Sequence, residues 1–284
     1  MKLKTFYSLF YRHRIKKASF LRKIYLILII PIKYLVNFFY FKKKIDLDKF
    51  SLKNNFLFNK DLNYLFEYFN SDKGKKFINQ YTQPSQKNSN IIKAHGYSKF
   101  YEKIFCNIKD EKINIMEIGS FYGNASAAFF FYFKKANIFG ADINPDMFVY
   151  KSKRIKTLCV DSSSNESIKR KIVDLDISFK VIIEDASHML KDQIISLFML
   201  FPKVESGGYF IIEELDFPET REDMRINQVF PDLKTILENI INKKNFNSPY
   251  IDEKSKNYFL NNFNYIKIHK GNMNEIAIIK KKIN

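Results

Sequence analysis

The chain has 284 residues, 46% of them hydrophobic and 17% aromatic, which is enough apolar surface for one sizeable core plus an appendage and excludes disorder of the whole. Its two cysteines, Cys106 and Cys159, have neither metal-ligand nor redox spacing, which excludes a disulfide scaffold or zinc ribbon and suits a reducing cytoplasm. The formal charge is +18, but residues 1–60 hold 15 of the 48 basic and 2 of the 30 acidic residues; that segment carries +13 and the remainder +5, which argues against a nucleic-acid-binding main domain.

Within the basic segment, Ile24 to Phe41 is strongly apolar but is interrupted by Pro31, Lys33 and Asn37. A spanning helix wants about 20 mostly apolar residues with few charges. No small-residue cleavage site follows, and Lys42-Lys43-Lys44 comes next, so a secretory signal is not expected. Basic residues on both sides (Arg12, Arg14, Lys16, Lys17, Arg22 and Lys23, then Lys42 to Lys44) with Tyr and Phe between them suit a helix lying on an anionic membrane surface through residues 1–45. Two alternatives stay open: a true span, or a pair of helices, kinked or broken near Pro31, that packs on the domain or on a second subunit.

Residues 61–284 are expected to form one domain. Strand-like runs occur at 113–118, 138–143, 155–160, 179–183 and 209–212, with helical patterns near 125–134, 144–151, 165–173 and 191–201 between them. Strands and helices alternating at that length predict an α/β fold with a doubly wound, mostly parallel sheet. Cys159, inside an apolar run, is expected to be a small buried hydrophobe. At the end, 264–269 and 275–280 flank Gly271 and read as a terminal antiparallel hairpin.

The strand tips carry the chemistry. The first strand runs into Glu117-Ile-Gly119-Ser-Phe-Tyr-Gly123, the turn at which a doubly wound sheet binds a nucleotide-like ligand. The Gly-x-Gly-x-x-Gly spacing of a pyrophosphate cradle is absent, and Glu117 there would repel phosphate while attracting a cation. Two later apolar runs end in acids, Ile182-Ile-Glu-Asp-Ala-Ser-His188 and Gly208-Tyr-Phe-Ile-Ile-Glu213-Glu214. Carboxylates beside an apolar core are costly to desolvate, so their recurrence marks a reaction site. If the two strands lie parallel and adjacent, Asp185, His188, Glu213 and Glu214 converge.

Glu-x-Gly-x-x-x-Gly resembles motif I of the class I S-adenosylmethionine-dependent methyltransferases. That resemblance implies a Rossmann-like seven-stranded sheet, with cofactor contacts at Glu117, Gly119 and Gly123. It also implies ribose contacts from Asp142, at the tip of the second strand, and adenine-side contacts from Asp161 with Ser162, at the tip of the third. Helix capping is the competing reading for Asp142 and Asp161.

From 182 to 215, with Ser71-Asp-Lys-Gly74 and His95-Gly-Tyr97-Ser-Lys-Phe-Tyr-Glu102 upstream, the chain resembles the macrolide-sugar O-methyltransferase family. Its mycinamicin-type and rhamnosyl-type members and the cephalosporin-hydroxylase-like relatives belong there. The resemblance covers about residues 70–216. It implies Mg²⁺ held by Asp185, Glu213 and Glu214, His188 as catalytic base beside Asp185, and a cofactor cover that includes Tyr97. The family usually has Asp-Asp-Gly-Ser-His where this chain has Glu184-Asp-Ala-Ser-His188, and Glu-Asp where it has Glu213-Glu214. His95 is left between lining that cover and capping a helix, and His269 is expected to be structural.

The function so implied is O-methylation of a carbohydrate hydroxyl in glycan or polysaccharide biosynthesis, by a cytoplasmic protein peripheral to the inner face of the membrane, with homo-oligomerisation left open. The rivals are a nucleic-acid or other small-molecule methyltransferase, and a non-catalytic scaffold on the same fold.

Overall fold

In the computed structural model, residues 1–8, 18–38, 43–78 and 91–283 are described. Seven strands form the central sheet: β1 (Asn114–Ile118), β2 (Asn137–Asp142), β3 (Ile155–Cys159), β4 (Phe179–Glu184), β5 (Val204–Ile212), β6 (Phe263–Lys270) and β7 (Glu275–Lys281). Their order is β6-β7-β5-β4-β1-β2-β3. The first five are parallel; β7 runs antiparallel to β5, and β6 antiparallel to β7. This is the doubly wound sheet with a terminal hairpin that the sequence predicts.

The numbered helices are α1 (Phe20–Phe38), α2 (Leu62–Tyr68), α3 (Ser98–Phe105), α4 (Asn124–Tyr132), α5 (Leu190–Leu200), α6 (Leu233–Ile241) and α7 (Glu253–Asn262). Alternation along the strands divides the core in two. Ile115, Val181, Ile183 and Ile211 face α2, α3 and α4, while Met116, Ile182 and Phe210 face α5, α6 and α7. Asp61, Asp232 and Asp252 start α2, α6 and α7 by accepting from the backbone N–H three residues on.

Four expectations change. No helix occupies 144–151: a single 3-10 turn, Pro145–Met147, is followed by Phe148, Val149 and Tyr150, all buried. Tyr150–Lys151 instead pairs, parallel, with Ile45–Asp46. Cys159 is exposed, because β3 is the sheet's edge strand. Among the described residues one helix, Phe20–Phe38, contains Pro31, so the helix pair broken there does not hold. Residues 45–60, grouped by sequence with the N-terminal segment, pack into the domain, with Leu47 and Leu57 fully buried in its core.

Among the described residues, no helix is long and apolar enough to cross a membrane. Arg12, Arg14, Lys16, Lys17, Lys42 and residues 39–41, on which part of the membrane reading rests, lie outside the described residues.

Candidate active site

β4 and β5 are adjacent and parallel, with Glu184 opposite Ile212, so the residues after both strands share the carboxyl edge of the sheet. β1 flanks β4 on its other side and ends at the same edge. There Gly119 has φ +90, and an added Cβ would lie 1.8 Å from the Asp185 carbonyl oxygen. The glycine therefore permits the tips of β1 and β4 to touch, a demand made by the protein itself before any ligand is considered. Gly123, φ +78, opens α4, and a Cβ there would strike the Phe148 ring.

The centre of the edge is a lysine to which the sequence assigned no role. Lys73 is 1% exposed, and its Nζ donates to Asp185 at 2.5 Å and to Glu213 at 2.8 Å, with Glu117 at 3.4 Å. Glu117 also accepts from Ser126 at 3.0 Å, and Tyr101 donates its hydroxyl hydrogen to Glu213. Burial alone would push the ammonium down, but Asp185, Glu213 and Glu117 together hold its pKa well above the usual lysine range. One ammonium cannot offset three buried carboxylates. Burial accordingly raises Glu117 and Asp185, and it pushes Glu213 to about 8 against the pull of Lys73.

The second cluster surrounds Glu214. Its carboxylate lies 2.8 Å from His188 Nε2 and 3.1 Å from His95 Nε2, and Asp185 Oδ1 is 3.7 Å from His188 Nε2. Burial would lower both imidazoles, yet the bonds to Glu214 raise each to about 9. Burial would raise Glu214 in turn, but the same two rings hold it far below the carboxylate range. The His188 ring packs edge-on to Phe217 at 5.1 Å, and its Nδ1 is buried with no hydrogen-bond partner. Glu184, fully buried behind this cluster with one oxygen unpartnered, is pushed by burial to about 7.

Asp185, His188 and Glu214 each offer a ligand atom, and these atoms lie within 4.8 Å of one another. Two carboxylates and an imidazole, beside a network with more carboxylates than cations, suit a divalent cation. Glu213 reaches the other cluster instead: both its oxygens are engaged, by Lys73 and Tyr101. The structure thus brings the four residues of the two strand ends to one edge, with the metal-spaced set being Asp185, His188 and Glu214.

A small pocket opens beside the β1 turn, lined by Ser71, Asp72, Lys73, Glu117, Gly119 and Asp185. Asp142 sits at the tip of β2 and accepts from the backbone N–H of Phe121 at 2.9 Å and of Asn144 at 2.7 Å, so it holds the turn. Asp161 accepts from the Ser163 N–H and hydroxyl, and neither it nor Ser162 lines the pocket. Tyr97 is fully buried and stacks on His95 at 5.2 Å, and its hydroxyl meets the Glu275 carbonyl and the Glu214 N–H. It supports the cluster around Glu214 through these contacts. His95 binds Glu214 rather than capping a helix, and His269 stacks on Phe100 at 4.5 Å.

No family model matches the chain. Over 128 residues, 43% of its length, it is 27% identical to the 8-demethyl-8-alpha-L-rhamnosyl tetracenomycin-C 2'-O-methyltransferase of Streptomyces olivaceus. Over the same length it is 27% identical to the mycinamicin VI 2''-O-methyltransferase of Micromonospora griseorubida. The chain spans about a third of the length of these curated relatives, 33% and 32%. Among solved structures it is similar to the MycE methyltransferase of the mycinamycin biosynthetic pathway, in complexes with Mg and SAH and with Mg, SAH and mycinamycin VI. The TM-scores are 0.57 and 0.59 at 18% identity, over 79% of this chain and 55% of that one. The chain is related in sequence to these sugar O-methyltransferases, and its fold is the methyltransferase fold.

Proposed function

We propose that the chain is an S-adenosylmethionine-dependent O-methyltransferase acting on a hydroxyl of a glycosyl group. The observation that carries this reading is the meeting of Asp185, His188 and Glu214 at one sheet edge, beside the glycine turn of a fold shared with sugar O-methyltransferases. The network brings four carboxyl groups together with a single lysine, and Glu117 and Asp185, which line the pocket, suit a cationic methyl donor. In this reading the donor's side of the reaction lies in the pocket lined by Lys73 and Glu117, next to Asp185.

In this reading His188 is the base, with Nε2 receiving the hydroxyl proton. While paired with Glu214 the ring is held protonated, and a protonated ring cannot act. Weakening of that pairing, when Glu214 faces another cation, returns the imidazole toward its ordinary range. The deprotonated oxygen then attacks the sulfonium methyl: an O–C bond forms, the S–C bond breaks, and the electron pair stays on sulfur. Such base catalysis contributes ~10²–10⁴-fold, and alignment of oxygen and methyl supplies more. A divalent cation, when bound, would be held by the carboxylates of Asp185 and Glu214, leaving His188 Nε2 free for the proton, and would acidify the hydroxyl. Phe217 and the buried Tyr97 fix the two imidazoles around Glu214.

Calorimetry with S-adenosylmethionine tests the donor. Binding that weakens in Glu117→Gln is expected, and no binding to the intact chain would refute the reading. Release of S-adenosylhomocysteine with rhamnosylated acceptors should disappear in His188→Ala while donor binding persists; retained turnover would remove His188 as the base.

A further inference from the structure

The part of the molecule that the proposed chemistry does not use is α1. Ten of its large hydrophobic side chains are exposed, including Leu21 at 79%, Leu28 at 69% and Leu35 at 65%. Projected at 3.6 residues per turn, Leu21, Tyr25, Leu28, Ile32 and Leu35 fall on one outward line, and Ile24, Ile27 and Val36 widen it to about half the helix circumference. The opposite line, through Leu26, Ile30 and Tyr34, packs on Phe6. Arg22 and Lys33 lie at one margin of the apolar arc. Arg22 and Lys23 occupy the first turn, and Lys43 and Lys44 follow the helix, both exposed.

We propose that α1 is a docking element that lies in the interface of an anionic lipid bilayer, its apolar arc among the acyl chains and its lysines and arginines on the phosphodiester headgroups. Two features favour this occupant. The arc is far wider than the narrow seam of a helix pair, and a lipid surface can cover all of it. The charge also decides: residues 1–60 carry +13, so a second copy would bring like charge to like, whereas an anionic surface neutralises it.

The helix is fastened to the domain. Asp146 accepts from Lys2 N at 2.6 Å and from the Thr5 hydroxyl at 2.8 Å, Tyr34 donates to the Met1 carbonyl at 2.7 Å, and the Phe6 and Tyr34 rings meet at 5.6 Å. Asp146 follows Asp142 in the loop that leaves β2, so α1 is joined to the carboxyl side of the sheet, the side that carries the candidate site. Docking therefore holds that edge near the bilayer.

The test is co-sedimentation of the full chain with vesicles of phosphatidylcholine alone or with about a third phosphatidylglycerol. Binding is expected only to the anionic vesicles, weakening as salt rises. Leu28→Glu/Leu35→Glu should reduce partition by roughly a hundredfold. Leu52→Glu, at an exposed leucine outside α1, should bind as wild type. Unchanged melting of each variant excludes unfolding as the cause. Absence of binding, equal binding to neutral vesicles, or full binding by Leu28→Glu/Leu35→Glu would overturn the proposal. So would a dimer, by sedimentation equilibrium, that this pair of changes dissolves in a chain that ignores lipid.

Discussion

Replacing Lys73 by Met keeps the apolar stem of the side chain and removes the charge and its donors. The ammonium is almost fully buried against Asp185, Glu213 and Glu117, so its loss leaves carboxylates that no other described cation touches directly, apart from the His188 contact to Asp185. Removing one partner of a buried ion network costs about 3–5 kcal/mol, because the remaining charges stay desolvated. At about 2 °C per kcal/mol for a chain of this size, the melting temperature should fall by roughly 6–10 °C. Glu213→Gln is the contrasting change. Burial already pushes that carboxyl to about 8, so at neutral pH it is mostly protonated, and an amide oxygen can still accept from Lys73 while its NH2 donates to the Tyr101 hydroxyl. Its cost should stay below about 1 kcal/mol, and in the Lys73→Met background it should change stability just as little, because the carboxyl it replaces is already mostly neutral. Thermal unfolding followed by circular dichroism, in chelator, reads all three. Lys73→Met melting within about 2 °C of wild type, or Glu213→Gln costing more than Lys73→Met, would refute the network as described.

Other substitutions probe separate parts of the argument. Arg154 donates to the carbonyls of Phe130, Phe133 and Ala136 at the end of α4, so Arg154→Ala should cost about 2–3 kcal/mol in denaturant unfolding, with Arg154→Lys recovering only part. Gly119→Ala places a Cβ against the Asp185 carbonyl on a left-handed backbone; soluble yield and melting temperature should both collapse, and a normally folded variant would show that the strand tips can separate. Glu184 has a folded pKa of about 7, above its ordinary 4.5, so its neutral form is favoured and stability is lost as pH rises from about 4.5 through about 7. Glu184→Gln should flatten that decline, by on the order of 3 kcal/mol, and equal pH slopes in the two proteins would contradict the burial argument.

What could be read from the sequence depended on whether the signal was local. β1, β4 and α5 were legible because apolar runs and periodicity are properties of short windows, and the acids ending β4 and β5 stood out against those runs. The segment 144–151 was misread because its burial comes from Ile45–Asp46 arriving from a hundred residues away. Cys159 was misread because the short apolar run Leu158-Cys159-Val160 does not say that β3 lies at the edge of the sheet. Lys73 was invisible for the same kind of reason. A lysine carries no periodic sign that it will be buried among three acids drawn from β1, β4 and β5, and only its place in Ser71-Asp-Lys-Gly74 sets it apart. The division between Glu213 and Glu214 was equally hidden, since adjacent glutamates in a sequence do not say which cluster each will join.

That division depends on the backbone. Along a strand, neighbouring side chains point to opposite faces, which would send one of two adjacent glutamates into the apolar layer behind the sheet. Glu213 follows β5, and Glu214 then takes a left-handed conformation, φ +52, at the carboxyl edge. Glu213 can thereby turn to Lys73 and Tyr101 while Glu214 turns to His95 and His188. His188 is left-handed as well, φ +56, and so are Asn70 before the Lys73 segment and Phe121 in the glycine turn. Each such residue costs on the order of 1 kcal/mol or more, asparagine least. Glycine would remove the strain at 188 or 214, but it would also remove the imidazole or the carboxylate that the conformation presents. The strain at this edge is therefore best understood as the cost of holding two polar clusters, joined through Asp185, close enough to share one reaction.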